Sequence, residues 1–353
     1  MKPAGLYIHF PFCRRRCFYC HFRRFAFHED DVCVYLAALS EEIARRGNFE
    51  FLVDSIYFGG GSPSLLGARE LEAIRTALSR GFRLTVTPEI TLEANPEEVN
   101  ACSLDQWLGA GINRLSIGVQ SFADSDLRFL KRGHDARQGR LAVEEALACG
   151  FIDVNLDFII GLPTQTGPSL ARNLKQAAAL GVSHLSVYIL EGVKTGAAER
   201  QESRERRLYF QAREMLLALG YEHYEVSNYA RPGQACRHNL KYWQSQPYVG
   251  LGVSAAGFEN NIDYRNTLSL KRYRECLATG RLPVAKLIRL DPAQRRIVSG
   301  LRLLEGLPAG AFKPFPDTTQ FLLENGFLER RGRNIAVPTE KILLLNEILS
   351  YFV

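Results

Sequence analysis

Cys13, Cys17 and Cys20 lie in the run Cys-Arg-Arg-Arg-Cys-Phe-Tyr-Cys, directly after an apolar, strand-like segment at residues 6–12. Thiolates are soft ligands that suit zinc or iron–sulfur clusters. A four-iron cubane normally takes four thiolates; three would hold it and leave one iron open to a small ligand. Such a site is reactive rather than a plain electron carrier. Zinc prefers a closed tetrahedral set of four, so the zinc reading needs His9 or His21 as a fourth ligand. Three of eight cysteines within eight residues speak against coincidence, and the loop favours the cluster over zinc.

Arg14, Arg15, Arg16, Arg23 and Arg24 crowd this loop, with no acid before Glu29. An anionic partner is expected there, either a carboxylate ligand or an acidic electron donor; a solvated basic loop is the bland alternative. Further along, chemistry-bearing residues finish successive strand-like runs: Gly59-Gly60-Gly61-Ser62, Glu93-Ala-Asn-Pro96, Gln120-Ser121, and Asp157 within the fifth run. Each alone reads as a cap or a turn. In series at equivalent places they read as the rim of an active site.

Strand-like runs at 6–12, 54–58, 89–93, 114–119, 153–159 and 184–190 must carry these residues. Helical patterns at 30–46, 68–79, 103–108, 124–130 with 137–149, and 169–180 separate them, and Gly81, Gly111, Gly150 and Gly181 punctuate helix ends,. Six βα units imply a parallel sheet. Polar residues at the C-terminal strand ends, where barrel enzymes place their chemistry, select a barrel, full or partial, over a doubly wound sheet. The fold expected is therefore α/β: a partial (β/α)6 barrel over residues 1–200, a connecting region at 201–285, and a C-terminal winged-helix-like α/β module at 286–353. The module has helical patterns at 293–304, 318–325 and 340–351 and a basic hairpin at 329–337. Arg330, Arg331 and Arg333 in that hairpin read as a structural lid rather than a nucleic-acid reader, because no broader basic face accompanies them.

The 353 residues are 46% hydrophobic and carry a net charge of +6. That charge is too mild to imply nucleic acid. Eight cysteines are too sparse for a disulfide scaffold,. No apolar run reaches the ~18 residues of a membrane span, and no signal peptide is apparent. The expected location is the cytoplasm.

The motifs together resemble the radical S-adenosylmethionine (SAM) superfamily: Tyr7-Ile-His-Phe-Pro-Phe-Cys13, the CxxxCxxC loop, and the glycine triplet on the next strand. The resemblance implies a 4Fe–4S cluster on Cys13, Cys17 and Cys20, whose open iron chelates SAM. Leu92-Glu93-Ala-Asn-Pro96, Leu115-Ser-Ile-Gly-Val-Gln120, Leu130-Lys-Arg132-Gly-His134 and Asn155-Leu-Asp157-Phe-Ile-Ile-Gly-Leu-Pro163 resemble the oxygen-independent coproporphyrinogen oxidase-like family. By that similarity Gly60, Gly61, Ser62, Glu93, Gln120, Arg132 and Asp157 line the SAM pocket, and Tyr7 and Tyr19 border the cluster and adenine. His238-Asn-Leu-Lys-Tyr-Trp243 is similar to the signature of the family's heme chaperone branch. It implies that His238 ligates heme iron, with the aromatic rings against the macrocycle.

The oxidase branch carries a fourth cysteine two residues beyond the third; Phe22 stands there, which disfavours oxidase chemistry. The resemblance implies heme, or another tetrapyrrole, as cargo. It further implies heme-accepting proteins as partners, a reductant such as a flavodoxin or ferredoxin, and peripheral membrane contact during delivery. The competing readings are a tetrapyrrole-acting oxidoreductase and, third, a related methyltransferase. Two departures stand out: His21 where the chaperone branch has Asp, and Gly250-Leu-Gly-Val-Ser-Ala-Ala256-Gly257-Phe258 where the family has Gly-Pro-Gly-Ala-His-Ser.

Overall fold

The computed structural model describes residues 2–193 and 196–353. β1 (Lys2–Phe10) is followed by α1 (Glu29–Arg46), β2 (Asn48–Gly60), α2 (Ala68–Gly81), β3 (Phe82–Ala94), α3 (Ala101–Gly109) and β4 (Arg114–Gln120). The alternation continues through α4 (Asp124–Phe129), α5 (Ala136–Ala148), β5 (Asp153–Ile160), α6 (Gly167–Ala179) and β6 (His184–Ile189). α1 shows why these segments coil: Val32, Tyr35, Leu39 and Ile43 recur every three or four residues and make one buried face,. Asn100, Asp135 and Thr166 cap α3, α5 and α6 by accepting from a backbone N–H three residues on,. Gly111, Gly150 and Gly181 end the same three helices at φ of 87°, 105° and 82°, where a Cβ is disfavoured. Gly81 does not share that role. It closes α2 against Gly47, whose Cβ would meet the Gly81 carbonyl at 2.9 Å.

β1 to β6 lie side by side in chain order and all run parallel. A doubly wound sheet reverses its order at a switch point; uninterrupted order winds one way, as a barrel does. Beyond β6, α7 (Ala198–Ala218) leads to β7 (Glu222–Glu225) and β8 (Asn228–Ala230), with β8 antiparallel to β6. After α8 (Arg237–Trp243), β9 (Tyr248–Leu251) returns to lie parallel beside β1. β10 (Ala256–Glu259), β11 (Ile262–Asn266), α9 (Leu270–Ala278) and β12 (Val284–Ile288) follow, the strands extending the sheet antiparallel. The twelve strands run β12-β11-β10-β9-β1-β2-β3-β4-β5-β6-β8-β7, and the two ends are not bonded to each other. The result is an open (β/α)6 barrel. Most of the region read as a connection is built into the same sheet.

The terminal module follows the expected order: α10 (Pro292–Gly300), β13 (Leu307–Pro308), α11 (Pro316–Glu324), β14 (Glu329–Arg331), β15 (Asn334–Ala336) and α12 (Leu345–Ser350). The last helix is shorter than its pattern, because Thr339–Leu344 forms a 3-10 turn first. Two backbone hydrogen bonds join the module to the barrel, Val226 N–H to Arg302 O at 3.2 Å and Leu304 N–H to Tyr224 O at 3.1 Å.

Alternation along the barrel strands decides what the lumen is made of. Leu6, Ile8, Ile56, Phe58, Leu92, Leu115, Ile117, Leu156, Phe158, Leu185 and Val187 are buried in the main apolar core. Their alternates face one another across the sheet. One register row is Tyr7, Tyr57, Thr91, Arg114 and Asp153; the next holds Glu93, Ser116, Asn155 and His184. Barrel interiors are usually filled with branched aliphatic side chains. Here the filling is polar and aromatic, which suits a ligand chamber. Tyr188, on the inner face of β6, keeps 43% of its surface exposed.

Candidate functional site

The cysteine loop is held at the C-terminal end of β1. Phe12–Cys13 and Phe25–Ala26 form a short parallel pair, and the Phe27 N–H donates to Cys13 O at 3.1 Å. Within the loop, the Cys20 N–H donates to Cys17 O at 3.3 Å. Arg24 donates to Cys20 O and to Cys17 O, both at 2.7 Å. All eight cysteines are free thiols, and the three of the loop are partly exposed. Burial pushes the Cys13 thiol up, against a hydrogen bond to Ser62 and the Arg24 charge that pull it down.

Among the described residues no three His, Cys, Asp or Glu side chains gather closely enough to hold a single metal ion. A cubane spreads its thiolates over three irons, so its ligands stand farther apart than those of one ion. Zinc also loses its proposed fourth ligands. His9 is buried, with Nδ1 on the Tyr7 hydroxyl at 3.0 Å, and His21 turns Nε2 toward Glu191 O at 3.5 Å. Arg24 Nε and Arg132 Nε, both buried beside the loop, have no hydrogen-bond partner. Two guanidinium groups held against a thiol loop, each with a donor to spare, fit an anionic sulfide-bearing cluster.

The neighbouring strand ends close around this loop. Gly61 N–H donates to Phe10 O at 2.7 Å and Ser62 N–H to Phe12 O at 2.9 Å. A Cβ on Gly61 would meet Phe12 O at 2.6 Å, and one on Gly60, at φ 113°, would meet the His9 ring at 2.5 Å. The glycines are therefore required by the close approach of β2 to the end of β1, whatever ligand they also admit. Asn95 bridges the next two loops, donating to Ser62 Oγ at 2.9 Å and accepting from Arg132 at 2.9 Å. Arg132 also reaches Gly118 O at 2.8 Å, the Tyr19 hydroxyl at 3.4 Å and Cys17 Sγ at 3.5 Å. Gln120 ends β4 at φ 66°, and its amide lies against Gly118 beside the Arg132 guanidinium.

Glu93 and Asp157 stand on the chamber wall below this rim. Glu93 accepts from the Gly60 N–H at 3.0 Å. Burial, and then the Asp157 charge, push its carboxyl up to about 7. Asp157 accepts from Asn155 at 2.9 Å and from Ser116 at 3.3 Å; burial raises it too. A cationic group entering between these two carboxyls would relieve both. The structure brings Cys13, Cys17, Cys20, Gly60, Gly61, Ser62, Glu93, Gln120, Arg132, Asp157 and Tyr19 to this one end of the barrel; Tyr7 lies deeper in the chamber, beside Tyr57.

His238 lies elsewhere. α8 packs at the N-terminal ends of the strands, where Glu89 accepts from the Arg237 and His238 N–H groups at 2.9 and 3.0 Å and Lys241 pairs with Asp54 at 2.6 Å. The helix plugs the end of the chamber opposite the cysteines. The His238 ring is fully buried and stacks on Tyr57 at 5.3 Å between centroids. Its Nδ1 bonds Ser55 Oγ at 3.0 Å and its Nε2 the Tyr242 hydroxyl at 2.9 Å. Burial, then Lys241 and Arg114, push it down to about 3, so the ring is neutral. The expected heme ligand therefore offers iron no free nitrogen in this conformation, because both are spent inside the plug.

Sequence reasoning missed Arg24 as a brace, and missed the inner-face residues Tyr57, Ser116, Asn155, His184 and Tyr188. The signal was present as polar residues alternating with aliphatic ones inside strand-like runs.

An open parallel barrel with a three-cysteine loop after its first strand and glycines after its second defines a radical SAM protein. The superfamily model described as "Radical SAM superfamily" matches residues 7–177; the superfamily's cofactors are a 4Fe–4S cluster and SAM. The chain is 32% identical to heme chaperone HemW of Mycobacterium tuberculosis, covering 99% of this chain and 94% of that one. It is 30% identical to the protein of the same name in Bacillus subtilis, covering 100% and 99%, and 36% to that of Escherichia coli, covering 73% and 70%. The chain belongs to the HemW family. Among solved structures, the coproporphyrinogen III oxidase HemN of Escherichia coli superposes with a TM-score of 0.85 at 24% identity, over 99% of this chain and 90% of that one. That likeness shows a shared fold.

Proposed function

We propose that this protein is a heme chaperone, which binds heme and passes it to heme-requiring acceptor proteins. One observation carries the reading: the relatives named heme chaperone match the chain end to end, plug helix and terminal module included. Phe22 in the place of the oxidase branch's fourth cysteine supports it.

Cys13, Cys17 and Cys20 hold the 4Fe–4S cluster, and the loop from Gly59 to Ser62 with Glu93, Gln120, Arg132 and Asp157 forms the SAM pocket, bordered by Tyr7 and Tyr19. A cluster held by these three cysteines would leave one iron open to SAM and would supply the electron for its chemistry. The chain's own part is to orient and to balance charge. Glu93 and Asp157 accept from the amino group and the ribose hydroxyls, and the arginines of the rim offset the negative cluster. Heme iron binds His238 once α8 loosens and frees a ring nitrogen. The acceptors are heme proteins of the cytoplasm or of a membrane surface; among the described residues no helix is long and apolar enough to cross a membrane. The reductant is a flavodoxin- or ferredoxin-like carrier.

The test is anaerobic reconstitution followed by heme titration of the wild type and of His238→Ala, with a parallel coproporphyrinogen turnover assay. Stoichiometric heme binding without turnover is the expected result. Vinyl products together with deoxyadenosine would overturn the chaperone reading in favour of the oxidoreductase.

A further inference from the structure

Five arginines surround the cysteine loop, and one of them turns inward. Arg14, Arg15, Arg16 and Arg23 are exposed; Arg14 lies over the Phe27 ring at 5.1 Å, and Arg23 donates to Leu268 O at 3.1 Å. Arg24 is half-buried. Its two terminal nitrogens donate to Cys20 O and Cys17 O at 2.7 Å each. One guanidinium thus braces both cysteines of the turn, Cys17 and Cys20. Its Nε is buried without a partner.

We propose that Arg24 is a positioning residue that sets both the geometry and the reduction potential of the cluster. The inference rests on the cluster reading given above and names the residue that regulates that site. Two consequences follow from the geometry. A planar fork bonded to two carbonyls fixes the turn that carries Cys17 and Cys20, which a single ammonium cannot bridge in the same way. A fixed cation in a partly desolvated position also stabilises the more negative, reduced cluster and raises its potential.

The test compares wild type, Arg24→Gln, Arg24→Lys and Arg23→Gln after anaerobic reconstitution. Iron and labile sulfide are measured per chain, and the midpoint potential is read by electron paramagnetic resonance during a redox titration. Arg24→Gln is expected to lose iron and to shift its potential downward. Arg24→Lys recovers the potential while still losing iron, and Arg23→Gln matches wild type in both. An unchanged potential in Arg24→Gln overturns the proposal, as does an equal shift in Arg23→Gln. Should Arg24→Gln fail to fold, Arg24→Lys carries the test, and wild-type iron content there overturns it. A wild type that takes up no cluster removes the underlying reading instead, before any variant is compared.

Discussion

His238 is bonded at both ring nitrogens, to Ser55 and to Tyr242, so iron competes with a hydroxyl for whichever nitrogen it takes. If His238 is the ligand, Tyr242→Phe frees Nε2 and tightens heme binding, roughly five- to tenfold for a hydrogen bond of about 1 kcal/mol. A spectrophotometric heme titration reads this directly, and undiminished binding in His238→Ala excludes the ligand. Glu93 gives a pH prediction. Its carboxyl stands at about 7 in the fold, above its unfolded value, so between those values the native state holds the proton that the unfolded chain has lost. Its contribution to stability is thus present at low pH and lost as pH rises through about 7. A cationic amino group prefers the ionised carboxylate, so SAM affinity changes in the opposite sense and strengthens across the same window. Glu93→Gln flattens both dependences, measurable by isothermal titration and by thermal melts against pH.

At the scale of elements, the join between β1 and β2 has no room for a side chain. Gly60→Ala places a Cβ at positive φ against the His9 ring and is expected to cost about 1–3 kcal/mol, together with loss of cluster retention, read from melts and iron content. The start of the plug rests on one carboxylate: Glu89→Ala removes the acceptor of two N–H groups at the first turn of α8, while the Lys241–Asp54 pair remains. About 1–2 kcal/mol of local stability is lost, seen as faster amide exchange at Arg237 and His238 with the cluster signal unchanged. These elements differ in how legible they were. The βα units could be read from period and glycine stops, because each is decided within a window of a dozen residues. The position of α8 could not, since it is set by Glu89 and Asp54, which lie some 150 to 190 residues earlier in the chain. The N-terminal halves of β2 and β3 were also missed. The first half of β3 pairs only with β2 and exposes Val86, so no buried period marks it; in β2 the buried alternation of Phe51, Val53 and Ser55 was present and went unread.

Over the whole molecule, charge is gathered at one mouth. The exposed Arg14, Arg15 and Arg16 lie in the cysteine loop, where an electron would reach the proposed cluster. Reduction by an acidic carrier protein is therefore expected to slow as ionic strength rises, since screening shortens to ~8 Å at physiological salt. Stopped-flow reduction across a salt series checks this, and replacing Arg15 and Arg16 by Glu should remove the dependence. The same alternation that gives the strands their apolar outer face gives the lumen its polar one. The barrel and its chamber are thus written in one pattern, whose polar half is legible in the sequence only at the strand ends, at Glu93, Gln120 and Asp157, and not deeper in the strands, at Tyr57, Ser116, Asn155 and His184. The order of the strands has a further result during synthesis. β1 is flanked by β2 on one side and by β9 on the other, so its second edge stays bare until residue 251 has left the ribosome. At roughly 5–20 residues per second, the cysteine loop is complete for ten seconds or longer before Leu268 arrives to meet Arg23. The nascent chain thus passes through an interval in which its cysteine loop is complete while the second edge of β1 is still unpaired.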